Sequence, residues 1–494
     1  MKRALKIIFA IATVTIINSQ ASVSQAQDAV YNLIRHHYTL NADGSIDLRY
    51  RKEIKLLRNR AITAYADKGE TFIIYNPAYD QLTINESYTI RKDGSRVQTP
   101  PNAFIDQLPS QCENCGRYNG IRERVVVHTA LEYECTIVLD YTIHHKGLNG
   151  WRESIELTKD CPVEKFELIV DAAKDKHWEA TLTNGTKSCK ELSDGHAYHL
   201  VATNLEQNII ESYSAQSYPT VDIALNATNH INDTVFAAPS PLPEAEDVVG
   251  ELYDRDSTVW ANNIQGWVAD NIHTIGLDMR YVDYTVAAPR TTLLSSCGTP
   301  AEKNALLAAM LHVAGFRAKS FSEGVLLTLS ENNIDLDYHL SANNKTPMRL
   351  WGRAIDHQRT ITLTRQLAWN GKAIGGGYEQ MTIPTEEGSI SIDPARLTQE
   401  RKSPLRLKNC DEQYHYTIVP PAGSRLVKPV SISYSQKGIG TIAIAIKQLA
   451  DGNIDVVRKL NIDVENGIVT TKQYKKFRKM MQDWRTNSII TIAH

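Results

Sequence analysis

This sequence of 494 residues lacks several features that would assign it to a familiar class of proteins. Its charges almost cancel, since 54 basic and 56 acidic residues leave a formal net charge of −2, which argues against a nucleic-acid partner. It contains no glycine-rich phosphate loop, no serine elbow and no dinucleotide fingerprint, so no cofactor is expected. Beyond the first residues no apolar run is long enough to cross a bilayer, and no membrane span is expected there.

Cysteine is scarce, with seven residues, and their spacing restricts their chemistry. Cys112 and Cys115 form a single Cys-x-x-Cys motif in a polar stretch, "CENC". A structural zinc site needs two more ligands at a recognisable spacing, and neither a second such motif nor a histidine pair with a third ligand is present. No metal is therefore expected. A local disulfide between Cys112 and Cys115 is expected, and a redox-active pair is the alternative.

The first residues have the pattern of an export signal. Three basic side chains lie within the first six residues, and the apolar run 7–17 is too short to span a bilayer comfortably. Ser24 and Ala26 are small residues at positions −3 and −1 of a cut after Ala26. Residues 1–26 are thus predicted to be a cleaved signal peptide, which places the protein in the periplasm or outside the cell. An uncleaved anchor is the alternative.

Strand patterns dominate from about residue 40 to 230. Val125 and Val127 alternate with polar residues, and Asp93-Gly94 is a typical hairpin turn. Several short strands at this spacing predict an antiparallel β-sandwich over residues 27–236. The proline-rich stretch "FAAPSPLPEAED" then predicts a domain boundary.

Helical signals begin after this break and define a central domain, residues 244–348. Ser257 or Thr258 can cap a first helix. A second helix has the clearest boundaries in the chain, because Thr299 and Glu302 have the spacing of a capping box and Pro300 suits the first helical position. Gly315 is expected to end it.

Strands return in residues 349–494, which are predicted to form a C-terminal β-domain with a terminal helix. Thr471 can cap this helix. Its apolar stripe is predicted to comprise Tyr474, Phe477, Met481 and Trp484.

Three stretches, taken in order, carry a resemblance to a known family: "YNPAYDQLTINESYTIRKDGSRVQTPPNAFIDQLP", "GTPAEKNALLAAMLHVAGFRA" and "YTIVPPAGSRLV". The chain resembles secreted bacterial proteins with domain of unknown function 3857, a transglutaminase-like core and a β-rich C-terminal domain. The resemblance implies an α+β multidomain protein. An N-terminal antiparallel β-sandwich would be followed by a central transglutaminase-like (papain-like) core and a C-terminal β-domain with a terminal helix.

Active transglutaminase-like proteins use a Cys-His-Asp triad, with the cysteine at the start of the core helix, where the helix dipole favours the thiolate. On this resemblance Pro300 occupies the cysteine position, Gly324 the histidine position and Ser341 the aspartate position. None of these side chains can perform the corresponding step. The resemblance therefore implies a degenerate triad, and no catalytic residue is expected.

The leading hypothesis is a non-catalytic protein with a binding or assembly role, whose ligand is an unknown peptide, protein or glycan. One alternative is an active transglutaminase-like or thiol-peptidase enzyme that uses Cys297, three residues before Pro300, with His339 or with His357 and Asp356. A second alternative is a purely structural envelope protein.

Overall fold

The computed structural model describes residues 28–67, 72–209, 211–227, 241–321, 324–331, 334–344, 349–350, 358–384, 397, 400–407 and 409–494. The predicted cleavage site near Ala26 lies outside these residues. The described part is rich in strands, with several sheets and a helix near the C-terminus, which confirms the expected β-rich α+β architecture. Within it, no helix is both long enough and apolar enough to cross a membrane.

The N-terminal part consists almost wholly of strands. Its elements are β1 (Ala29–Leu40), β2 (Ile46–Leu56), α1 (Asn59–Asp67), β3 (Phe72–Tyr75), β4 (Asp80–Ile90), β5 (Arg96–Gln98), β6 (Phe104–Gln107), β7 (Arg122–Val126), β8 (Thr136–His145), β9 (Trp151–Glu156), β10 (Val163–Ala172), β11 (Trp178–Thr183), β12 (Cys189–Ser193), β13 (Ala197–Leu205) and β14 (Thr220–Leu225). An eight-stranded sheet in the order β12-β13-β10-β1-β2-β8-β4-β5 faces two three-stranded sheets, β11-β14-β9 and β3-β7-β6.

One pairing in the large sheet differs from the predicted antiparallel sandwich. Strands β1 and β10 run parallel, with Ile34 opposite Phe166 and Leu40 opposite Ala172. A parallel pair needs a long connection, which the strands between β1 and β10 supply, and local alternation cannot reveal it. Inward side chains such as Ile34 and Phe166 are fully buried, and each contributes about 1.5–3 kcal/mol to stability.

Of the six α-helices that the structure describes, four lie in the central part. Its elements are α2 (Glu246–Glu251), α3 (Ser257–Asn271), β15 (His273–Thr274), α4 (Pro289–Ser295), β16 (Cys297–Gly298), α5 (Pro300–Val313), β17 (Arg317–Ser320), β18 (Val325–Glu331), β19 (Ile334–Leu340) and β20 (Arg349–Leu350). Helix α3 is capped by Asp256, whose side chain accepts from the backbone N–H of Thr258 at 2.8 Å, rather than by either residue predicted.

Helix α5 packs with α3 on the sheet β17-β18-β19-β20, and a single apolar cluster joins them. Gly315 follows the end of the helix with φ +83°, as predicted for its terminating glycine.

The described residues of the C-terminal part form two main sheets and one α-helix. Its elements are β21 (Gln358–Ala368), β22 (Lys372–Gly375), β23 (Tyr378–Thr382), β24 (Leu405–Arg406), β25 (Asn409–Val419), β26 (Arg425–Leu426), β27 (Val430–Gln436), β28 (Gly440–Gln448), β29 (Ile454–Ile462), β30 (Ile468–Val469), α6 (Thr471–Thr486) and β31 (Ile489–Ala493). Helix α6 covers the sheet β21-β25-β29-β28-β27, and its predicted apolar stripe is buried. Its cap is Thr470, one residue earlier than predicted, because Gln473 lies at the position that completes a capping box with Thr470.

Candidate functional site

The start of helix α5 is where the sequence places its candidate chemistry. Thr299 caps the helix by accepting from the Glu302 N–H at 3.3 Å, and the Glu302 carboxylate accepts from the Thr299 N–H at 2.8 Å. Pro300 takes the first helical position, where its missing N–H costs nothing. The predicted capping box is confirmed, and it fixes the direction in which the next side chains project.

Asn304 binds the helix to the loops on one of its sides. Its side-chain oxygen accepts from the Ala342 N–H at 3.0 Å, and its amide donates to the Phe321 carbonyl at 3.4 Å. Asn343 also donates to the Pro300 carbonyl at 3.3 Å. These bonds lie between residues that are completely or half buried, so they hold the loops firmly against the helix.

These contacts gather the three positions proposed for the degenerate triad. Gly324 directly precedes β18, and Ser341 directly follows β19, which pairs with β18 so that Val325 lies opposite Leu340. The loops held by Asn304 are therefore the loops that carry Gly324 and Ser341, and the helix begins at Pro300. Pro300, Gly324 and Ser341 therefore supply no thiol, imidazole or carboxylate where these segments meet.

The place beside Gly324 is filled by His339. A Cβ atom at residue 324 would lie 2.4 Å from His339 Nε2 and 2.5 Å from the Leu340 carbonyl oxygen. A histidine could not be restored at position 324 without moving both. The imidazole of His339 thus lies on this side of the helix, half buried, next to Gly324.

Cys297 lies in a different environment. Its sulfur forms a disulfide with Cys115, with 6.0 Å between the Cα atoms, while Cys112 remains a free, buried thiol. The predicted Cys112–Cys115 bond is thus wrong in this structure. Spacing along the chain favours a near partner, but folding brings Cys297, 182 residues further on, against Cys115.

Glu302 completes a buried polar network beside this disulfide. Arg117 donates to both Glu302 oxygens at 3.0 and 3.2 Å, and Tyr118 donates to one of them at 2.6 Å. Arg117 also donates to the Cys297 carbonyl at 2.8 Å. Burial disfavours the charged form of Glu302, but the hydrogen bonds from Arg117 and Tyr118 outweigh it and hold its pKa below the ordinary value.

The two sides of helix α5 therefore make different contacts. Glu302 and Asn304 are two residues apart, so their side chains point about 200° from each other around the helix axis. Cys297 belongs to the Glu302 side, and His339 belongs to the Asn304 side. In this structure the Cys297 sulfur is bonded to Cys115 and is not a free thiol. His357 and Asp356 lie outside the described residues.

A second contact joins the N-terminal and central parts, and no sequence pattern indicated it. Arg280 inserts between the sheets of the N-terminal part, 3.1 Å from the Glu153 carboxylate and with its guanidinium 5.0 Å from the centre of the Trp151 ring. Tyr38 donates to the same carboxylate at 2.7 Å. Burial opposes ionisation of Glu153, yet Arg280 keeps its pKa below the ordinary value.

Two cavities accompany these contacts. One of about 160 Å³ lies next to Arg280 and is enclosed by aromatic and charged side chains. Another of about 370 Å³ is more open and lies next to Glu302, where both parts contribute walls. Its lining includes Asn76, Tyr79, Arg117, Tyr118, Val282 and Thr285. Among the residues that the structure describes, no group of three or more His, Cys, Asp or Glu side chains could hold a metal ion.

Residues 42–205 match the family DUF3857, a domain of unknown function. Residues 382–492 match DUF3858, also a domain of unknown function. No curated protein matches the chain. Among solved structures, the chain is similar to a crystal structure of a "putative protease" from Parabacteroides distasonis ATCC 8503, with a TM-score of 0.73 and 23% identity. The likeness covers 94% of this chain and 99% of that chain. At this identity it shows a common fold alone.

Proposed function

We propose that the protein is a non-catalytic member of the transglutaminase-like proteins, with a binding or assembly role outside the cytoplasm. The observation that carries the proposal is the occupation of both sides of the helix α5 start. One side contacts residues next to Gly324 and Ser341, neither of which carries the histidine or aspartate of the family triad. The other side is covered by the Cys115–Cys297 disulfide and the Arg117–Glu302 pair.

The shared fold with the Parabacteroides protein supports a common architecture but does not transfer a reaction. A thiol protease needs a free thiolate within reach of a base. In this chain Cys297 is 1% exposed and bonded to Cys115. A misplacement of about 1 Å in such a site already costs about 10²-fold in rate.

The open cavity beside Glu302 supports the binding role. Its volume of about 370 Å³ lies in the range of small-ligand pockets, about 300–1,000 Å³. Tyr79 offers an aromatic surface in this lining, which suits a short segment of peptide or glycan. A ligand bound here would touch both the N-terminal and the central parts.

Export is part of the proposal and has two supports. The first residues have the pattern of a signal peptide with a cut after Ala26. A disulfide that joins distant parts of the chain is typical of oxidising compartments. Cell fractionation and mass spectrometry of the mature N-terminus test this, and a full-length N-terminus in the cytoplasmic fraction would contradict it.

The absence of catalysis is tested with purified protein in two assays, cleavage of fluorogenic casein and incorporation of a fluorescent amine into casein. Each assay is run with and without dithiothreitol. Wild type, Cys297→Ser and the matched control Cys112→Ser are expected to give the same background rate. Turnover by wild type and Cys112→Ser that is lost in Cys297→Ser would establish the thiol enzyme instead.

A further inference from the structure

Three cysteines meet in one small apolar cluster between the N-terminal and central parts. Cys112, Cys115 and Cys297 are 0%, 2% and 1% exposed, and Tyr118, Ile121, Ile275 and Leu277 complete the cluster. Cys115 and Cys297 are bonded and Cys112 is free. A free thiol in the same cluster as a disulfide is the composition that thiol–disulfide exchange requires.

The chain between Cys112 and Cys115 favours their approach. Only Glu113 and Asn114 separate them, and both are in turn conformation. Asn114 has φ 63°, the left-handed value that reverses a chain over a short distance. Cys115 thus has one partner nearby in sequence and another across the boundary between the two parts.

We propose that Cys112, Cys115 and Cys297 form an intramolecular thiol–disulfide exchange site. The Cys112 thiolate attacks Cys115 Sγ, the Cys112–Cys115 bond forms and the Cys115–Cys297 bond breaks. Cys297 departs as a thiolate and takes up the proton that Cys112 gave up. The number of disulfides and free thiols is unchanged, so no oxidant or reductant is consumed.

The two pairings connect different parts of the protein. The Cys115–Cys297 bond links residues 182 apart and ties the N-terminal part to the start of α5. The Cys112–Cys115 bond is local and leaves that connection to non-covalent contacts. Exchange therefore releases a covalent link and simultaneously produces a thiol at Cys297.

Contacts around the cluster favour the Cys115–Cys297 bond over the exchanged one. Arg117, two residues after Cys115, binds the Cys297 carbonyl and the Glu302 carboxylate, so it keeps Cys115 beside Cys297. Burial raises the pKa of the Cys112 thiol, and Glu123 adds to this, which keeps the attacking thiolate rare in the closed state. Loosening of the Arg117 contacts, for example by a ligand in the neighbouring cavity, would favour the local bond.

The exchange is tested by incubating full-length protein at pH 8 without added oxidant or reductant, then trapping free thiols with N-ethylmaleimide. Trypsin places Cys112 and Cys115 on the peptide 97–117 and Cys297 on the peptide 291–303. In wild type the two peptides are expected to be linked, with one label on Cys112. In Arg117→Ala, which loosens the loop and removes the cleavage site at residue 117, a labelled 291–303 peptide should increase at least fivefold, together with an internally bonded, unlabelled 97–122 peptide.

Two controls make the result decisive. Cys112→Ser in the Arg117→Ala background should abolish the labelling of Cys297, because the attacking thiol is gone. Wild type in a series of urea concentrations below its unfolding transition gives the same comparison if Arg117→Ala does not fold. Labelling of Cys297 that persists without Cys112, or no Cys112–Cys115 bond under any of these conditions, would overturn the proposal. The readout is a disulfide map and does not depend on the proposed binding role.

Discussion

At the scale of single residues, Glu302 is a carboxylate that serves two parts of the chain at once. Within α5 it completes the capping box with Thr299, and across the boundary it accepts from Arg117 and Tyr118. A buried carboxylate is tolerated only when its lone pairs are used, and here the backbone N–H groups of Thr299 and Ala287 also donate to it. The helix end and the contact between the two parts therefore depend on the same side chain.

Replacing Glu302 with alanine is expected to lower the free energy of unfolding by about 3 kcal/mol, since removal of one partner leaves a buried charge unpaired. Urea unfolding monitored by circular dichroism measures this. The control Glu206→Ala removes an exposed carboxylate and should stay within about 0.5 kcal/mol of wild type. Equal effects in the two variants would contradict the role assigned to Glu302.

The same carboxylate predicts a pH effect. Because its pKa in the folded protein is below the ordinary value of 4.5, its ionised form stabilises the fold above about pH 4.5, and this contribution is lost as the pH falls through the folded pKa. The stability difference between wild type and Glu302→Gln should thus be constant from pH 7 to 5 and shrink below pH 4. A difference that grows on acidification would disprove this.

His128 is expected to make stability depend on pH in a higher range than Glu302 does. Burial, with a contribution from nearby Lys52, lowers its pKa from 6.5 to about 3. The unfolded chain therefore takes up a proton below pH 6.5 that the folded chain refuses, which costs about 2 kcal/mol by pH 5. His128→Gln should lose less stability than wild type between pH 7 and 5. The exposed-site control His196→Gln should follow wild type.

At the scale of elements, helix α6 derives its stability from one face. Phe477 and Trp484 are fully buried against the C-terminal sheet, whereas Lys476 is exposed. The buried Arg458 lies under this helix, with its guanidinium 3.9 Å from the Trp484 ring centre and a hydrogen bond of 2.6 Å to the Trp484 carbonyl. The helix is thereby tied to β29 by both apolar and polar contacts.

Phe477→Ala is expected to destabilise the protein by about 3–5 kcal/mol, since it leaves a cavity in the core of the C-terminal part. Lys476→Ala, its neighbour on the solvent side, should change stability by less than about 0.5 kcal/mol. Thermal unfolding by calorimetry compares the two. Similar midpoints would show that the helix is not packed as described.

Local sequence patterns were sufficient for the elements whose causes are local. The capping box at Thr299, the glycine after α5 and the apolar stripe of α6 follow from residues within a few positions of each other. The caps of α3 and α6 were misplaced by one or two residues because neighbouring polar side chains compete for the same N–H groups. The parallel β1–β10 pair and the Cys115–Cys297 bond join distant residues, and no local pattern contains that information.

At the scale of the whole molecule, two of the contacts between the N-terminal and central parts contain a charged pair. One is the Cys115–Cys297 disulfide with the Arg117–Glu302 pair, and the other is the insertion of Arg280 beside Glu153. Both place a charged pair where it is largely removed from water. Local sequence patterns predict neither contact, because the residues of each pair are far apart in the chain and meet only in the folded protein.

The disulfide should contribute to global stability because it restricts a long loop in the unfolded chain. Reduction of wild type is expected to lower the free energy of unfolding by about 4 kcal/mol. The double variant Cys115→Ser/Cys297→Ser should begin at this lower value and respond little to reductant. Guanidinium unfolding with and without reductant measures both. A variant as stable as oxidised wild type would contradict the prediction.

The insertion of Arg280 also bears on how the protein is made. Glu153 is synthesised well before its cation, and Arg117 must wait for Glu302, which is 185 residues further along the chain. When the strands of the large N-terminal sheet have been synthesised, Glu153 and Arg117 therefore still lack their partners, because Arg280 and Glu302 come later in the chain. Strand β9 and the loop that carries Arg117 can therefore complete these contacts only after the chain has been synthesised as far as the start of helix α5.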